Sequence, residues 1–221
     1  MPRARTKAQD GRCGEFEYEP PSRVDLHVAG KSVHGRPLTY AEFGHDPPQE
    51  GQAGNTTLVV AGIHGDEMQS VFIARRLLEM LASQPELFLV PDGRLAGARV
   101  IILPMANPDG AVAKRRRNAR FVDLNRNFPS RNWVPTHKSD RHHGGTEPAS
   151  EPETQALIDL IERARPDKII AIHTIGGGGE CNNFDGPAEQ LAYAMSPINQ
   201  YPVEPSIGYA TPGSLGTWAG I

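Results

Sequence analysis

Residues Thr57 to Leu81 read TLVVAGIHGDEMQSVFIARRLLEML. Leu58 to Ile63 is an unbroken apolar run rich in β-branched residues, which suits a buried strand. It ends at Gly62-Ile63-His64-Gly65-Asp66-Glu67, a segment with two glycines. Beyond it the apolar positions Val71, Ala74, Leu78 and Leu81 fall on one face of a helix. The stretch therefore predicts a strand, a tight turn and an amphipathic helix. His64 is placed at the carboxyl end of the strand and Glu67 in the first turn of the helix, so their side chains can converge on one point. Ligands bind at such edges of open α/β sheets.

Upstream, Val24–Val28 and Pro37–Phe43 alternate apolar and polar residues around a turn-rich Gly30–Gly35, which predicts two antiparallel strands. His27 and His34 read as a strand and a turn residue. Gly44–Asn55 reads as a surface loop, as does the segment through Pro91-Asp92-Gly93. Downstream, Arg99–Pro104 (RVIILP) is a second buried strand that runs into the turn Asn107-Pro108-Asp109-Gly110. Strand, helix and strand make a βαβ unit, whose crossover implies a parallel pair. Ser150-Glu151-Pro152-Glu153 predicts the start of another helix, with Ser150 as N-cap and Glu153 completing a capping box. Ala156, Leu157, Leu160 and Ile161 form its apolar face, and Pro166 follows its end. Lys168–His173 (KIIAIH) is a third buried strand, ending in a histidine beside the glycine run Gly176–Gly179. The fold class is α/β: a mixed, largely parallel sheet flanked by helices.

His173 repeats the logic of His64. With Glu67, the two strand-end histidines form a His, Glu, His set, the donor pattern of a catalytic zinc site with one position left open. The competing reading of each residue alone is structural: a core histidine satisfied by backbone, or a solvated pair.

The 221 residues suit one domain with a substantial core. Residues 1–22 are polar and end in Pro20-Pro21, the pattern of a mobile leader, which leaves 23–221 as the single domain. The formal net charge is −3, so no basic field points to nucleic acid. No stretch is apolar enough for a membrane span or a secretory signal. Cys13 and Cys181 are too isolated for a disulfide framework and read as reduced thiols. These features favour a cytoplasmic protein with a small-molecule or peptide partner. The 23 glycines and 20 prolines exceed the usual joint share of about 12%, so loops carry much of the chain, and loops carry function.

Between the ligand candidates lies NARFVDLNRNFP, Asn118 to Pro129. VDLNRNFP downstream of IHGDE and NPDG, and upstream of a strand ending in His173, resembles the zinc carboxypeptidase family. Gly208–Trp218 (GYATPGSLGTW) extends the likeness. The Arg116-x-Asn118-x-Arg120 pattern and the SEPET segment resemble the bacterial murein peptide amidases within it. That resemblance implies a zinc hydrolase cleaving an amide bond next to a free carboxylate, the γ-D-glutamyl to diaminopimelate bond of murein peptides. It implies His64, Glu67 and His173 as ligands of one zinc, and Asp123 as the carboxylate that orients His64. Asn125 and Arg126 would grip the substrate carboxylate, Arg116 would stabilise the oxyanion, and Tyr209 would close over the substrate. Arg117 competes with Arg116 for the inward position, and the run Lys114–Arg117 also reads as a solvated face. His137, His142 and His143 match no motif and are expected to be exposed. The family's general-base glutamate, with a final strand and helix, is expected about ten residues beyond Ile221, so the chain reads as truncated, weakly active or inactive, and prone to aggregate. Two alternatives stand beside this reading: an N-acyl amino acid deacylase of the aspartoacylase and succinylglutamate desuccinylase group, and a non-catalytic zinc or peptide-binding module.

Overall fold

The computed structural model describes residues 24–44, 55–89, 95, 97–174 and 179–220. The expected leader, most of the loop after Gly44, the turn at Pro91–Gly93, Gly176–Gly178 and Cys13 lie outside the described residues. Five strands form one sheet: β1 (Leu26–Lys31), β2 (Pro37–Gly44), β3 (Thr56–Ala61), β4 (Arg99–Leu103) and β5 (Lys168–Ile172). Their order is β1-β2-β4-β3-β5. β3 runs parallel to both β4 and β5, while β2 is antiparallel to β1 and β4. Only β2 therefore opposes the common direction. The expected hairpin and the expected parallel pair are both present.

Leu58–Ala61 of β3 and Val100–Leu103 of β4 are apolar at every position because both faces of the sheet are covered there. Leu58, Val60, Ile101 and Leu103 point to one side, where Leu157, Leu160 and Ala164 of helix α4 (Pro152–Ala164) meet them. Val59, Ala61, Val100 and Ile102 point to the other, against Ala74, Leu78 and Leu81 of helix α1 (Met68–Ser83). Period-2 alternation in the strands thus divides one apolar run between two cores. Short helices α2 (Glu86–Leu89) and α3 (Pro108–Val112) flank β4 in sequence. A small parallel pair, β6 (Asn182–Asn183) and β7 (Val203–Glu204), brackets helix α5 (Glu189–Asn199), and α6 (Leu215–Ala219) follows.

Two local expectations are corrected. β5 is half-buried rather than fully buried, because among the described residues it lies at the sheet edge with β3 as its neighbour. The start of α4 is capped differently too: Glu151, not Ser150, is the N-cap residue, and it makes no side-chain cap hydrogen bond. Glu153 does not reach back along the helix but accepts from Val33 N–H, 3.1 Å away, and from Asn118. Tertiary partners thus replace the local capping box.

Candidate metal centre and active site

The turn after β3 is built by close approach. Gly62 has φ +63°, a left-handed conformation that glycine adopts without strain. A Cβ on Gly65 would lie 2.1 Å from the backbone carbon of Gly110, so only glycine lets α3 pack against this turn. Glu67 is the N-cap residue of α1, and its backbone N–H donates to the His64 carbonyl at 3.2 Å. Ser70 closes the turn, donating from Oγ to the Glu67 carbonyl and accepting from Gly62 N–H. The parallel register sets Ala61 opposite Ile172, so His173 leaves β5 at the same sheet edge.

The three expected ligands converge. His64 Nδ1 lies 2.7 Å from Glu67 Oε1, and His173 Nδ1 lies 3.0 Å from Glu67 Oε2. One donor atom from each residue can be chosen so that all lie within 4.8 Å of one another. His64 Nε2 faces Asp123 Oδ1 at 3.2 Å, which leaves Nδ1 as the nitrogen turned toward the shared point. Two imidazole nitrogens and a carboxylate oxygen suit zinc, with Asp123 in the supporting position that a ligand histidine needs. The residues present therefore fit the ion.

Electrostatics in the protein chain alone agree with a cation-seeking site. Burial works against charge on Glu67 and Asp123, yet hydrogen bonds and ion pairing with the imidazoles hold both carboxyls well below the usual carboxylate range. Burial alone would lower the pKa of His64, but Asp123 and Glu67 outweigh it and raise it.

The segment 113–151 supplies the other wall. Arg116 turns inward: its Nε donates to Asp123 Oδ2 at 2.9 Å, and Nη1 lies 4.0 Å from Glu67 Oε1. Arg117 turns away, donating to the Lys138 and Asp140 carbonyls. A three-residue 3-10 turn, Leu124–Arg126, begins at Asp123, whose side chain accepts from Asn125 N–H. Asn125 Oδ1 accepts from Leu215 N–H at 3.0 Å, leaving its amide nitrogen as the donor face. Arg126 is buried, with Nη1 donating to the Asn125 carbonyl at 2.6 Å, and its charge acts on Asp123. Gly213, at φ +72°, packs where a Cβ would meet the Arg126 carbonyl oxygen at 2.2 Å, seating the 209–218 segment on this turn.

Tyr209 is exposed, and its ring stacks on His142 with centroids 6.1 Å apart. That contact corrects one expectation: His142 is half-buried. Burial, then the charges of Arg116 and Arg126, lower its pKa. His143 is buried outright; its ring nitrogen Nδ1 lies 3.0 Å from the Thr136 carbonyl, and its own carbonyl accepts from Asp123 N–H at 2.7 Å. Only His137 is exposed as expected. Sequence reasoning also missed the buried Asn107, whose Nδ2 donates to the Ile63 and Arg116 carbonyls and so ties the His64 turn to Arg116. Its place in the Asn107-Pro108-Asp109-Gly110 turn was the available signal.

Comparisons with known proteins agree with this geometry. The sequence pattern described as zinc carboxypeptidase matches residues 13–186. Murein peptide amidase A of Escherichia coli K12 is 34% identical over 200 residues, covering 86% of this chain and 74% of that protein. Its Vibrio campbellii counterpart is 35% identical over 201 residues, covering 86% and 72%. The crystal structure of the murein-tripeptide amidase from E. coli O157 superposes with a TM-score of 0.67 at 31% identity, covering 91% of this chain and 79% of that one. Carboxypeptidase A from Helicoverpa armigera shares the fold, with a TM-score of 0.72 at 23% identity and coverage of 90% and 57%. With its fold and more than half its length matched, the chain belongs to the zinc carboxypeptidase family of metallopeptidases.

Proposed function

We propose that this protein hydrolyses an amide bond next to a free carboxylate, and that its substrate is a murein peptide, cleaved between γ-D-glutamate and diaminopimelate. The observation that carries the reading is the convergence of His64, Glu67 and His173 on one point with Arg116 held beside them by Asp123. The 34% identity to a murein peptide amidase supports the substrate class. His64, Glu67 and His173 would hold zinc, and Asp123 would keep the His64 ring in one orientation and tautomer. Zinc, when bound, supplies Lewis acidity that polarises an amide carbonyl and acidifies water. Arg116 would offer N–H donors to the oxygen on which negative charge develops. Asn125 and Arg126 would clamp the substrate carboxylate, where a planar guanidinium gives directional bonds. Tyr209 would swing from its stack on His142 to cover the bound peptide.

The test is a substrate panel: a murein tripeptide, ordinary peptides with free or amidated carboxyl termini, and N-acyl amino acids. Release of diaminopimelate from the tripeptide alone is the expected result. Preferential cleavage of N-acyl amino acids would overturn the murein assignment, and zinc and peptide binding without turnover would favour a binding module. Arg116→Ala should mainly depress kcat, whereas Arg126→Ala should raise KM for free-carboxylate substrates and erase discrimination against amidated ones.

A further inference from the structure

Two motifs of which the site uses only Arg116 meet each other in the fold. Asn118, from the Arg116-x-Asn118-x-Arg120 pattern, is fully buried. Its Nδ2 donates to Glu151 Oε2 at 2.8 Å and to Glu153 Oε2 at 3.1 Å, both from the SEPET segment. Its Oδ1 accepts from Arg120 N–H and Val122 N–H, each at 3.0 Å. The amide is thus fully satisfied, two bonds in and two bonds out.

Glu151 and Glu153 are themselves buried, at 3% and 0% exposure. Burying two carboxylates side by side is costly unless each gains several hydrogen bonds. Glu153 Oε1 takes Val33 N–H, and Glu151 Oε1 takes the Ser150 hydroxyl. A carboxylate only accepts, so the pair dictates which end of the Asn118 amide faces it. The oxygen is then forced toward Arg120 and Val122, closing the turn 118–122, in which Phe121 sits at φ +65°. Arg116 precedes this turn by two residues and Asp123 follows it directly. The bond from Arg116 Nε to Asp123 Oδ2 spans the turn.

We propose that Glu151 and Glu153 are positioning residues for the hydrolytic site: through Asn118 they fix the turn that aims the Arg116 guanidinium. The proposal rests on the role assigned to Arg116 above. A glutamine at 153 keeps the size but offers one oxygen; bonded to Val33, it turns its NH₂ toward that of Asn118, and the amide loses its orientation.

Arginine Nε–H resonances of the zinc-loaded chain test this without relying on turnover. The Arg116 signal is assigned by its loss in Arg116→Ala. Arg99 Nε–H, bonded to Glu42 Oε2 at 3.2 Å, reports on the sheet away from the turn. In Glu153→Gln, and in Glu151→Gln should the first fold poorly, Arg116 Nε–H exchange should speed at least about tenfold while Arg99 is unchanged. Unchanged Arg116 exchange, or equal acceleration at both arginines, would overturn the proposal; the second pattern is global loosening. In kinetics, Glu153→Gln should lower kcat about tenfold with KM within about twofold, and should have no further effect in an Arg116→Ala background. Should Arg116→Ala leave kcat unchanged, the assigned role of Arg116 fails, while the exchange data still judge the positioning.

Discussion

His64 and His173 stand just past the ends of the parallel strands β3 and β5, whereas Arg116, Asp123 and Arg126 stand in a 39-residue stretch, 113–151, whose regular structure is one 3-10 turn. The first wall is held by packing on two sheet faces. The second is held by side-chain amides and carboxylates that bond backbone groups: Asn107, Asn118, Asp123 and Asn127. A metal site needs ligands fixed to rigid elements. A substrate clamp can sit on a loop when that loop is cross-linked by satisfied polar networks.

This contrast predicts that the two walls fail differently. The largest effect belongs to the strands: Leu58→Ala removes a fully buried side chain and should cost about 3 kcal/mol of global stability, read by denaturant unfolding. Equal protease sensitivity in both walls is the expected accompaniment, since the sheet supports everything. Asp123→Asn strikes the joint between the walls, because Asp123 bonds His64 and Arg116 together. It should weaken zinc binding by about 10- to 100-fold, and unaltered affinity would show that the His64 ring is oriented by something else.

Asn127→Ala should separate the walls. Its Nδ2 reaches the Gly144 and Glu147 carbonyls and Ser150 Oγ, so its loss strands several buried groups at a cost of about 2 kcal/mol. Proteolysis should then concentrate in 131–149 while zinc binding persists. Cleavage spread evenly over the chain would contradict the division.

The smallest effect is pH-dependent. Burial raises the pKa of Asp109, but the His34 backbone N–H and Arg36 outweigh it and bring it below its ordinary 3.8. A carboxyl with a depressed folded pKa stabilises the protein above its unfolded pKa and loses that contribution as pH falls through the folded value. Asp109→Asn should therefore cost about 1 kcal/mol at pH 7, and the gap from wild type should close as pH falls below 3.8.

The same division explains what the sequence made legible. The apolar run at Leu58–Ile63 and the repeat of a strand-end histidine at His173 reveal the sheet, its direction and the cluster of His64, Glu67 and His173, because burial leaves a periodic trace. β5 reads like a central strand because Ile169, Ile170 and Ile172 are apolar, yet among the described residues it lies at the sheet edge and is half-buried. Nothing periodic marks His143 as buried or His142 as a seat for Tyr209, since both depend on where a loop folds back. The capping-box reading of Ser150 and Glu153 obeyed local rules and lost to partners at Val33 and Asn118, 120 and 35 residues away. Arg117 competes with Arg116 in sequence because both lie in one basic run, and tertiary partners separate them: Asp123 for Arg116, the Lys138 and Asp140 carbonyls for Arg117.

The most direct measurement is zinc titration of the metal-stripped chain by calorimetry, with His173→Ala beside it. One zinc per chain is expected, with His173→Ala losing more than the roughly 100-fold that removal of a supporting residue costs. One-to-one binding of undiminished affinity in His173→Ala would contradict the assignment of His64, Glu67 and His173 as the metal centre.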